Sequence, residues 1–350
     1  MTKTIGAGER VQKFLTRLVV NHQTIFEKFN SQTVVISGAT GLIGSQLSLC
    51  FLIYNQLFDG NIHVLGLIRN EAKAQKIFGD FYSSMAFIKS DIRNLTTIAE
   101  SVDYIFHTAA ITQSQMMIEK PVDTLDTMYQ GTKNLLEIAR LQKSKFIYMS
   151  SMEAFGITDP KLPLVRETDL GYIDLTNVRS TYSEGKRVCE LLTTAYAHQY
   201  ELATFNVRLA QTFGPGSDQA DARVFSYFAN AALAGKDILI KSSGESMGNY
   251  VDVRDAINAI LTVSQLGEIG ETYTVVNEKS TMSIRNLAEL VATRFSAGQS
   301  NIMIQNNSQE KKKFAPDTPM RLSSSKLRSL GWSPEYAITD MFDDMIKSWN

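Results

Sequence analysis

Residues 37–44, which read Ser-Gly-Ala-Thr-Gly-Leu-Ile-Gly, constrain this chain more than any other stretch. The β-branched run at 33–36 predicts a buried strand before them, and the apolar residues from 45 to 53 predict a helix after them. Glycines on such a strand-to-helix turn allow tight chain reversal, close approach of a diphosphate and close packing of helix on strand. The N–H groups at the start of the helix then face the phosphates. This context predicts dinucleotide binding by Gly38, Thr40, Gly41, Leu42, Ile43 and Gly44.

Short apolar strands alternate with helical patterns from residue 33 to about residue 209. Predicted strands cover residues 33–37, 63–68, 86–88, 104–107, 146–150 and 204–209, and the helical patterns between them include 123–140 and 181–198. This alternation predicts an α/β fold with a Rossmann-type, doubly wound parallel sheet. The irregular pattern that follows predicts a smaller C-terminal α/β substrate domain. The predicted division is an N-terminal helical extension (1–30), a dinucleotide-binding domain that contains the catalytic helix (31–215), and a mainly substrate-binding domain, partly interleaved with it (216–350).

Composition restricts the function classes. The 350 residues carry a net charge of −1, which gives no reason to expect a nucleic acid or an anionic membrane as partner. Cys50 and Cys189 fall within apolar helical patterns, and the chain starts without a secretory leader, so we expect a cytoplasmic protein. The most apolar segment, 47–58, is too short to span a bilayer. No metal site is predicted, and the charged run at 309–313 is interpreted as a solvated loop.

A second cofactor signal follows the strand at 63–68. Arg69 stands where an acidic residue would bind the ribose 2′-hydroxyl of NAD, and a guanidinium there favours the 2′-phosphate of NADP. Both cofactors therefore remain candidates, with NADP favoured. Asp91 either accepts a hydrogen bond from the adenine amino group or caps the next helix, and Ile92 lies beside it. Small residues at the end of the strand 104–107, Ala109 and Ala110, leave room for the cofactor, whereas His107 is interpreted as a satisfied buried histidine.

Tyr182 and Lys186 form the most specific chemical signal. Residues four apart share one face of a helix, so the phenol and the ammonium point toward one site. Because a free Tyr has a pKa of about 10, the ammonium is expected to lower that pKa toward neutral pH. Ser151, at the end of the strand 146–150, completes the set.

With these motifs the chain resembles the extended short-chain dehydrogenase/reductase family of nucleotide-sugar enzymes. Further landmarks of the resemblance are Gly131-Thr132, Gly214-Pro215 and the stretch 330–334, Leu-Gly-Trp-Ser-Pro. The resemblance implies that Tyr182 exchanges a proton with a sugar hydroxyl, that Ser151 binds the same oxygen and that Lys186 holds the nicotinamide ribose. It also implies a nucleoside-diphosphate sugar as substrate, with contacts from Arg208, Gln211 and Arg321, and a homodimer built from helices 123–140 and 181–198.

Within that family the stretch 179–187 looks most like UDP-glucuronate decarboxylases, which also carry a Glu where Glu153 stands. Glu153 is either a proton-handling acid or a structural carboxylate. Met152 replaces the Asp of 4,6-dehydratases, which makes that reaction less favoured, and Gly248 replaces a diphosphate-binding Arg, with Arg254 nearby but out of register. The leading hypothesis is therefore an epimerase or decarboxylase that works through a keto intermediate. The alternatives are an NADPH-dependent reductase of a nucleotide-linked keto sugar and a non-catalytic dinucleotide sensor.

Overall fold

The computed structural model describes residues 7–111, 114–305 and 319–349. The helices are α1 (Ala7–Asn21), α2 (Gln23–Glu27), α3 (Leu42–Phe58), α4 (Glu71–Phe78), α5 (Ser114–Glu119), α6 (Pro121–Gln142), α7 (Ser180–Tyr200), α8 (Val224–Leu233), α9 (Val253–Leu266), α10 (Ile284–Phe295), α11 (Ser325–Arg328) and α12 (Ile338–Trp349). The strands are β1 (Thr33–Ser37), β2 (His63–Ile68), β3 (Ala86–Lys89), β4 (Tyr104–His107), β5 (Lys145–Ser151), β6 (Thr204–Leu209), β7 (Gln211–Phe213), β8 (Ile238–Ile240), β9 (Met247–Gly248), β10 (Tyr250–Asp252), β11 (Thr272–Val275), β12 (Met282–Ser283) and β13 (Ile302–Ile304). Short 3₁₀ turns cover Gly79–Ser84, Met152–Phe155 and Glu278–Ser280.

Seven parallel strands form the main sheet in the order β11-β6-β5-β4-β1-β2-β3. Val35 of β1 lies between Leu65 of β2 and Ile105 of β4, so the chain leaves β1 in one direction and returns to its other side at β4. This reversal opens a crevice at the carboxyl ends of β1 and β4, where ligands bind in such sheets. The prediction of a Rossmann-type doubly wound sheet is confirmed.

The residues of β1 show why the sheet is covered on both faces. Val34 and Ile36 belong to the core formed with α3 and α9, whereas Val35 belongs to the opposite core, formed with α6 and α7. Successive side chains of a strand point to opposite faces, so a continuously apolar strand requires helices on both sides. The two layers fix the crevice edge as a rigid platform.

The first helix packs on the main domain. Leu15, Leu18 and Val19 of α1 are buried in the same core as α3. The boundary between this extension and the dinucleotide-binding domain, at residues 30 and 31, stays a prediction.

A smaller α/β layer follows β6. The strand pairs β7–β10, β8–β13 and β9–β12 pack with α8, α10 and α12 around a separate core. Phe213 and Phe225 stack there with ring centroids 4.5 Å apart. Because α9 and β11 return to the main sheet, the two parts interleave. The predicted boundary at 215 and 216 stays a prediction, and the charged run 309–313 lies outside the described residues.

Two further sequence interpretations concern absences. In the ranges 7–111, 114–305 and 319–349, no helix is both long enough and apolar enough to cross a membrane. Across the same described part of the chain, His, Cys, Asp and Glu do not gather in groups of three or more that could hold a metal ion.

Candidate active site

The glycine turn lies at the carboxyl end of β1, and two of its glycines are required by geometry. Gly38 has a φ of +67°, and a Cβ there would lie 2.8 Å from the Cα of Ala109. A Cβ at Gly44 would lie 2.4 Å from the carbonyl oxygen of Gly38. Both contacts are closer than any side chain tolerates, so the turn, the start of α3 and the end of β4 pack as one backbone-lined edge.

The N-terminus of α3 fits the phosphates of a dinucleotide. Gly41 is the N-cap and brings no capping side chain. The N–H of Ser45, which bonds the Gly41 carbonyl at 2.9 Å, is the first to find a partner inside the helix. The N–H groups of Leu42, Ile43 and Gly44 precede it and have no intrahelical acceptor. With the partly buried Thr40 beside them, these donors and the positive end of the helix dipole suit an anionic ligand.

The end of β4 is held by a buried histidine. The imidazole of His107 bonds the Ser37 hydroxyl through Nδ1 at 2.7 Å and the Thr132 hydroxyl through Nε2 at 3.0 Å. Burial, aided by the charge of Lys186, lowers the pKa of His107 to about 3, so the ring is neutral at working pH. Ala109 donates its N–H to the same Ser37 hydroxyl at 3.2 Å, and Ala110 follows it, partly exposed. His107 thus fixes the crevice edge through both ring nitrogens.

Arg69 is exposed at the end of β2 and lines a depression of about 560 Å³. Lys89, at the end of the neighbouring β3, lines it as well. Asp91 is instead held within its own turn, because the Arg93 guanidinium donates to it at 2.8 Å and lowers the pKa of the carboxyl. Ile92 is buried, and among the described residues no helix starts after Asp91 that it could cap.

Ser151, Tyr182 and Lys186 are brought together at the carboxyl end of β5. Ser151 ends that strand, and α7 lays Tyr182 and Lys186 over it, both buried. The ammonium of Lys186 donates to the carbonyl of Met149 at 2.6 Å and lies over the ring of Tyr182, 5.6 Å from its centroid. Burial lowers the pKa of Lys186 to about 8, so the side chain is mainly protonated at neutral pH.

The phenol departs from the sequence expectation. Burial raises the pKa of Tyr182 above its ordinary value, and the negative charge of Glu153 raises it further. The Ser151 hydroxyl and two guanidinium groups, Arg179 and Arg223, act in the opposite direction without cancelling the burial. The expected net lowering of the Tyr182 pKa is therefore wrong, because the loss of water on burial outweighs the neighbouring positive charges.

Glu153 lies in the 3₁₀ turn after β5 and faces the start of α7. Its carboxylate accepts from Arg179 at 2.9 Å and from the Ser183 hydroxyl at 3.4 Å. Its backbone N–H donates to the Ser151 hydroxyl at 3.2 Å. Glu153 is thus both a partner in an ion pair and a direct neighbour of Ser151.

Arg208 lies inside the protein. Its guanidinium donates to the carboxylate of Glu190 at 2.6 Å and to the carbonyl of Glu167 at 2.7 Å, and it stacks over the ring of Phe155. Glu190 also accepts from the Ser150 hydroxyl. The side chain predicted to contact substrate therefore has strong partners within the fold.

Gln211 and Arg321 are joined through Asn249. The carbonyl of Asn249 accepts from the Gln211 N–H at 2.9 Å, and its side-chain amide bonds the carbonyl of Met320 and the N–H of Leu322 on either side of Arg321, each at 2.9 Å. The Arg321 side chain is exposed, whereas Gln211 is partly buried. Both predicted substrate contacts are thus anchored by their backbones.

The structure explains why Gly248 stands where the resemblance implies a diphosphate-binding Arg. A Cβ at Gly248 would lie 2.1 Å from the Tyr250 hydroxyl, so this place holds no side chain. Arg254 is buried and bonds Asp252 at 2.8 Å and Asp344 at 2.9 Å. It therefore does not replace the missing cation.

Three charged neighbours of the site were not predicted as functional: Arg179, Glu190 and Arg223. Arg179 stands three residues before Tyr182, a spacing that could have revealed it, since such positions share a helix face. Glu190 stands four residues after Lys186 and follows the same rule. Arg223 comes from the turn before α8, and no local pattern connects it with Tyr182.

Comparisons with known proteins agree with this arrangement. Residues 34–277 match the model of the family described as the NAD dependent epimerase/dehydratase family. UDP-glucuronic acid decarboxylase 3 of Arabidopsis thaliana is 26% identical over 309 residues, covering 88% of this chain and 86% of that protein. UDP-N-acetyl-alpha-D-glucosaminuronate decarboxylase of Bacillus cytotoxicus is 28% identical over 260 residues, covering 73% and 78%.

A solved structure shows the same fold. The epimerase Mth375 of Methanothermobacter thermautotrophicus superposes with a TM-score of 0.78 at 22% identity, covering 93% of this chain and 94% of its own. At this identity the likeness concerns the fold alone.

Proposed function

Because the chain belongs to the NAD dependent epimerase/dehydratase family, we propose that it oxidises one sugar carbon of a nucleoside-diphosphate sugar and reduces it again after the keto intermediate has reacted. The net result is decarboxylation or epimerisation. Decarboxylation is supported by Glu153, which stands two residues past Ser151, and by the similarity to the two decarboxylases named above. Met152 carries no proton donor, which argues against 4,6-dehydration.

Each residue of the site has one task in this reaction. The glycine turn and the start of α3 hold the diphosphate of the dinucleotide. A bound nicotinamide supplies hydride acceptance from the sugar carbon and hydride return to it. Tyr182 takes the proton from the sugar hydroxyl and later gives it back, Ser151 orients the same oxygen, and Lys186 binds the nicotinamide ribose and adds positive charge.

The convergence of Ser151, Tyr182 and Lys186 at the carboxyl end of β5 carries this proposal. Purified protein is to be incubated with UDP-glucuronate, UDP-N-acetylglucosaminuronate and UDP-glucose, without added cofactor, and the sugars followed by proton NMR. Conversion of at least one sugar without net redox is the expected result.

The same assay separates the competing functions. A second incubation with a nucleotide-linked keto sugar tests the reductase, which would be established by product formed only with NADPH, in a one-to-one ratio to its consumption at 340 nm. Reversible binding of dinucleotide, without turnover of any nucleotide sugar in either assay, would leave the sensor.

Arg69 supports a finer proposal, that the cofactor is NADP. Its guanidinium lines the depression together with Lys89 and Glu71, whose charged groups lie 3.9 Å apart, so the Arg69 guanidinium is the cation that would bind a 2′-phosphate. Replacing Arg69 by Asp removes a charge-assisted bond of about 1.5–3 kcal/mol and is expected to weaken NADP about tenfold to a hundredfold, with NAD weakened far less. Binding of both dinucleotides by calorimetry measures this. Lys76→Asp in the last turn of α4 makes the same charge change as a control, and an equal loss in both variants would place Arg69 outside the cofactor site.

A homodimer built from α6 and α7 is also proposed. Apolar side chains are exposed along both helices, including Val122 at 72% and Leu191 at 70%. Because α6 and α7 pack against each other, these exposed apolar side chains support an interaction surface on the two helices. Sedimentation equilibrium should give twice the 39.0 kDa chain mass, and Leu191→Glu should give monomer. A monomeric wild type would contradict the proposal.

The cytoplasm is the proposed location. Cys50 and Cys189 are free thiols, both buried, as expected in a reducing compartment.

A further inference from the structure

Arg179 and Glu153 form an ion pair directly beside Tyr182. The Arg179 Nη2 lies 2.9 Å from the Glu153 Oε1, while the other carboxylate oxygen accepts from the Ser183 hydroxyl at 3.4 Å. Arg179 and Ser183 stand three residues before Tyr182 and one after it. The two residues that bind the Glu153 carboxylate therefore flank Tyr182 in the sequence.

The two side chains of the ion pair differ in their exposure to solvent. The Arg179 side chain is 16% exposed and the Glu153 side chain 35%. The guanidinium is thus the more buried member of the pair, and the carboxylate is the more exposed one. An ion pair with one partly buried guanidinium holds its carboxylate more firmly than a surface pair does.

The pair also sits among the charges that act on the phenol. Glu153 approaches Tyr182 from the 3₁₀ turn after β5, Arg223 from the turn before α8, and Lys186 from the next turn of α7. Tyr148 of β5 lies beneath Lys186, with the ammonium 4.7 Å from its ring centroid. Asp221 pairs with Arg223 at 2.6 Å and Glu190 acts on Lys186, whereas Glu153 is the anion that acts on Tyr182 itself, with Arg179 as its direct partner.

We infer that Arg179 is a positioning residue, which fixes the Glu153 carboxylate beside Tyr182 and offsets its charge there. This inference rests on the proposed function, because it assigns a task to a residue of the same site. Without Arg179, the Glu153 carboxylate keeps only its hydrogen bond from the Ser183 hydroxyl. Its negative charge is then no longer compensated by a guanidinium, and it disfavours the phenolate of Tyr182.

The test uses Arg179→Gln in the full-length protein and follows the pH dependence of turnover of the best nucleotide sugar, in which Tyr182 must first take the proton of the sugar hydroxyl. Since the phenol must lose its proton, the rate rises with pH, and the uncompensated Glu153 should move that rise to higher pH by about one unit. We expect turnover at pH 7 to fall about tenfold, with KM changed less than about twofold. Arg179→Gln combined with Glu153→Gln should return the pH midpoint of the rise close to its wild-type value, whatever rate remains once Glu153 is gone.

Two variants serve as controls. Arg294→Gln removes the guanidinium from a 2.5 Å ion pair with Asp343 in the smaller layer and should leave the pH profile unchanged. Arg179→Lys keeps the positive charge, so the rate should rise near the wild-type pH in this variant. The inference would be overturned if the pH profile of Arg179→Gln coincided with that of wild type. It would also be overturned if Arg179→Lys shifted the pH profile as far as Arg179→Gln does.

Crystal structures of wild type and Arg179→Gln separate this inference from the proposed function. In the variant the Glu153 carboxylate should shift away from the position that Arg179 holds while it keeps its bond to Ser183 and stays near Tyr182, whichever sugar the enzyme uses. A carboxylate that keeps its position would refute the positioning role, whereas failure of wild type to convert any nucleotide sugar would refute only the proposed function.

Discussion

Tyr182→Phe is expected to lower turnover by about 10²- to 10⁴-fold, the usual contribution of a positioned general acid or base. The ring keeps its packing in the core beside α6, so folding and dinucleotide binding should survive. Burial raises the pKa of this phenol, so its ionisation depends on the positive charges near it, such as Arg179 and Arg223. Turnover of the best nucleotide sugar and the bound dinucleotide per chain measure the two effects.

Tyr54→Phe provides the matched control. Tyr54 is also buried, and its hydroxyl accepts a single hydrogen bond, from the Asn30 amide at 3.1 Å. Losing it should cost roughly 1 kcal/mol of stability and no turnover. If Tyr182→Phe behaved like Tyr54→Phe, Tyr182 would have no part in the chemistry.

Six of the seven strands of the large sheet were predicted, whereas β11 was missed. β1, β2, β4 and β6 begin and end at the residues that the sequence predicts, and β1 is the easiest to recognise because it is apolar on both faces. The enzyme class and family were equally accessible, because the glycine turn and the Tyr182–Lys186 spacing are local patterns. These predictions are confirmed by the sheet order and the family match.

The smaller layer was predicted only in outline. Its strands are two or three residues long, and a run of that length carries no readable alternation. The strands of each pair are far apart along the chain, as in β8 and β13. Their position depends on tertiary packing around Phe213 and Phe342, which no local pattern encodes.

The charges of the site were the least predictable part. Spacing places Lys186 near Tyr182 but says nothing of burial, which reverses the expected direction of the Tyr182 pKa. Arg254 looks free in the sequence, yet Asp252 and Asp344 enclose it. The sequence does not show which group a charged side chain pairs with in the fold. That partner decides whether the side chain is available to bind a ligand or stabilises the fold.

Arg208→Met tests that distinction where it matters most. The side chains of Arg208 and Glu190 are 5% and 8% exposed, so removing the guanidinium leaves a buried carboxylate with only the Ser150 hydroxyl. Breaking a buried pair in this way should cost about 3–5 kcal/mol of unfolding free energy. Urea unfolding followed by circular dichroism measures the loss.

The double variant Glu190→Leu with Arg208→Met decides between the two roles of Arg208. Two apolar side chains of similar size replace the pair without leaving a charge unpaired, so most of the lost stability should return. If Arg208 instead contacts substrate, Arg208→Met should unfold at the wild-type urea concentration while KM rises at least about tenfold, the loss of a charge-assisted hydrogen bond. We expect the first outcome, because Glu190, Glu167 and Phe155 already surround the guanidinium within the fold.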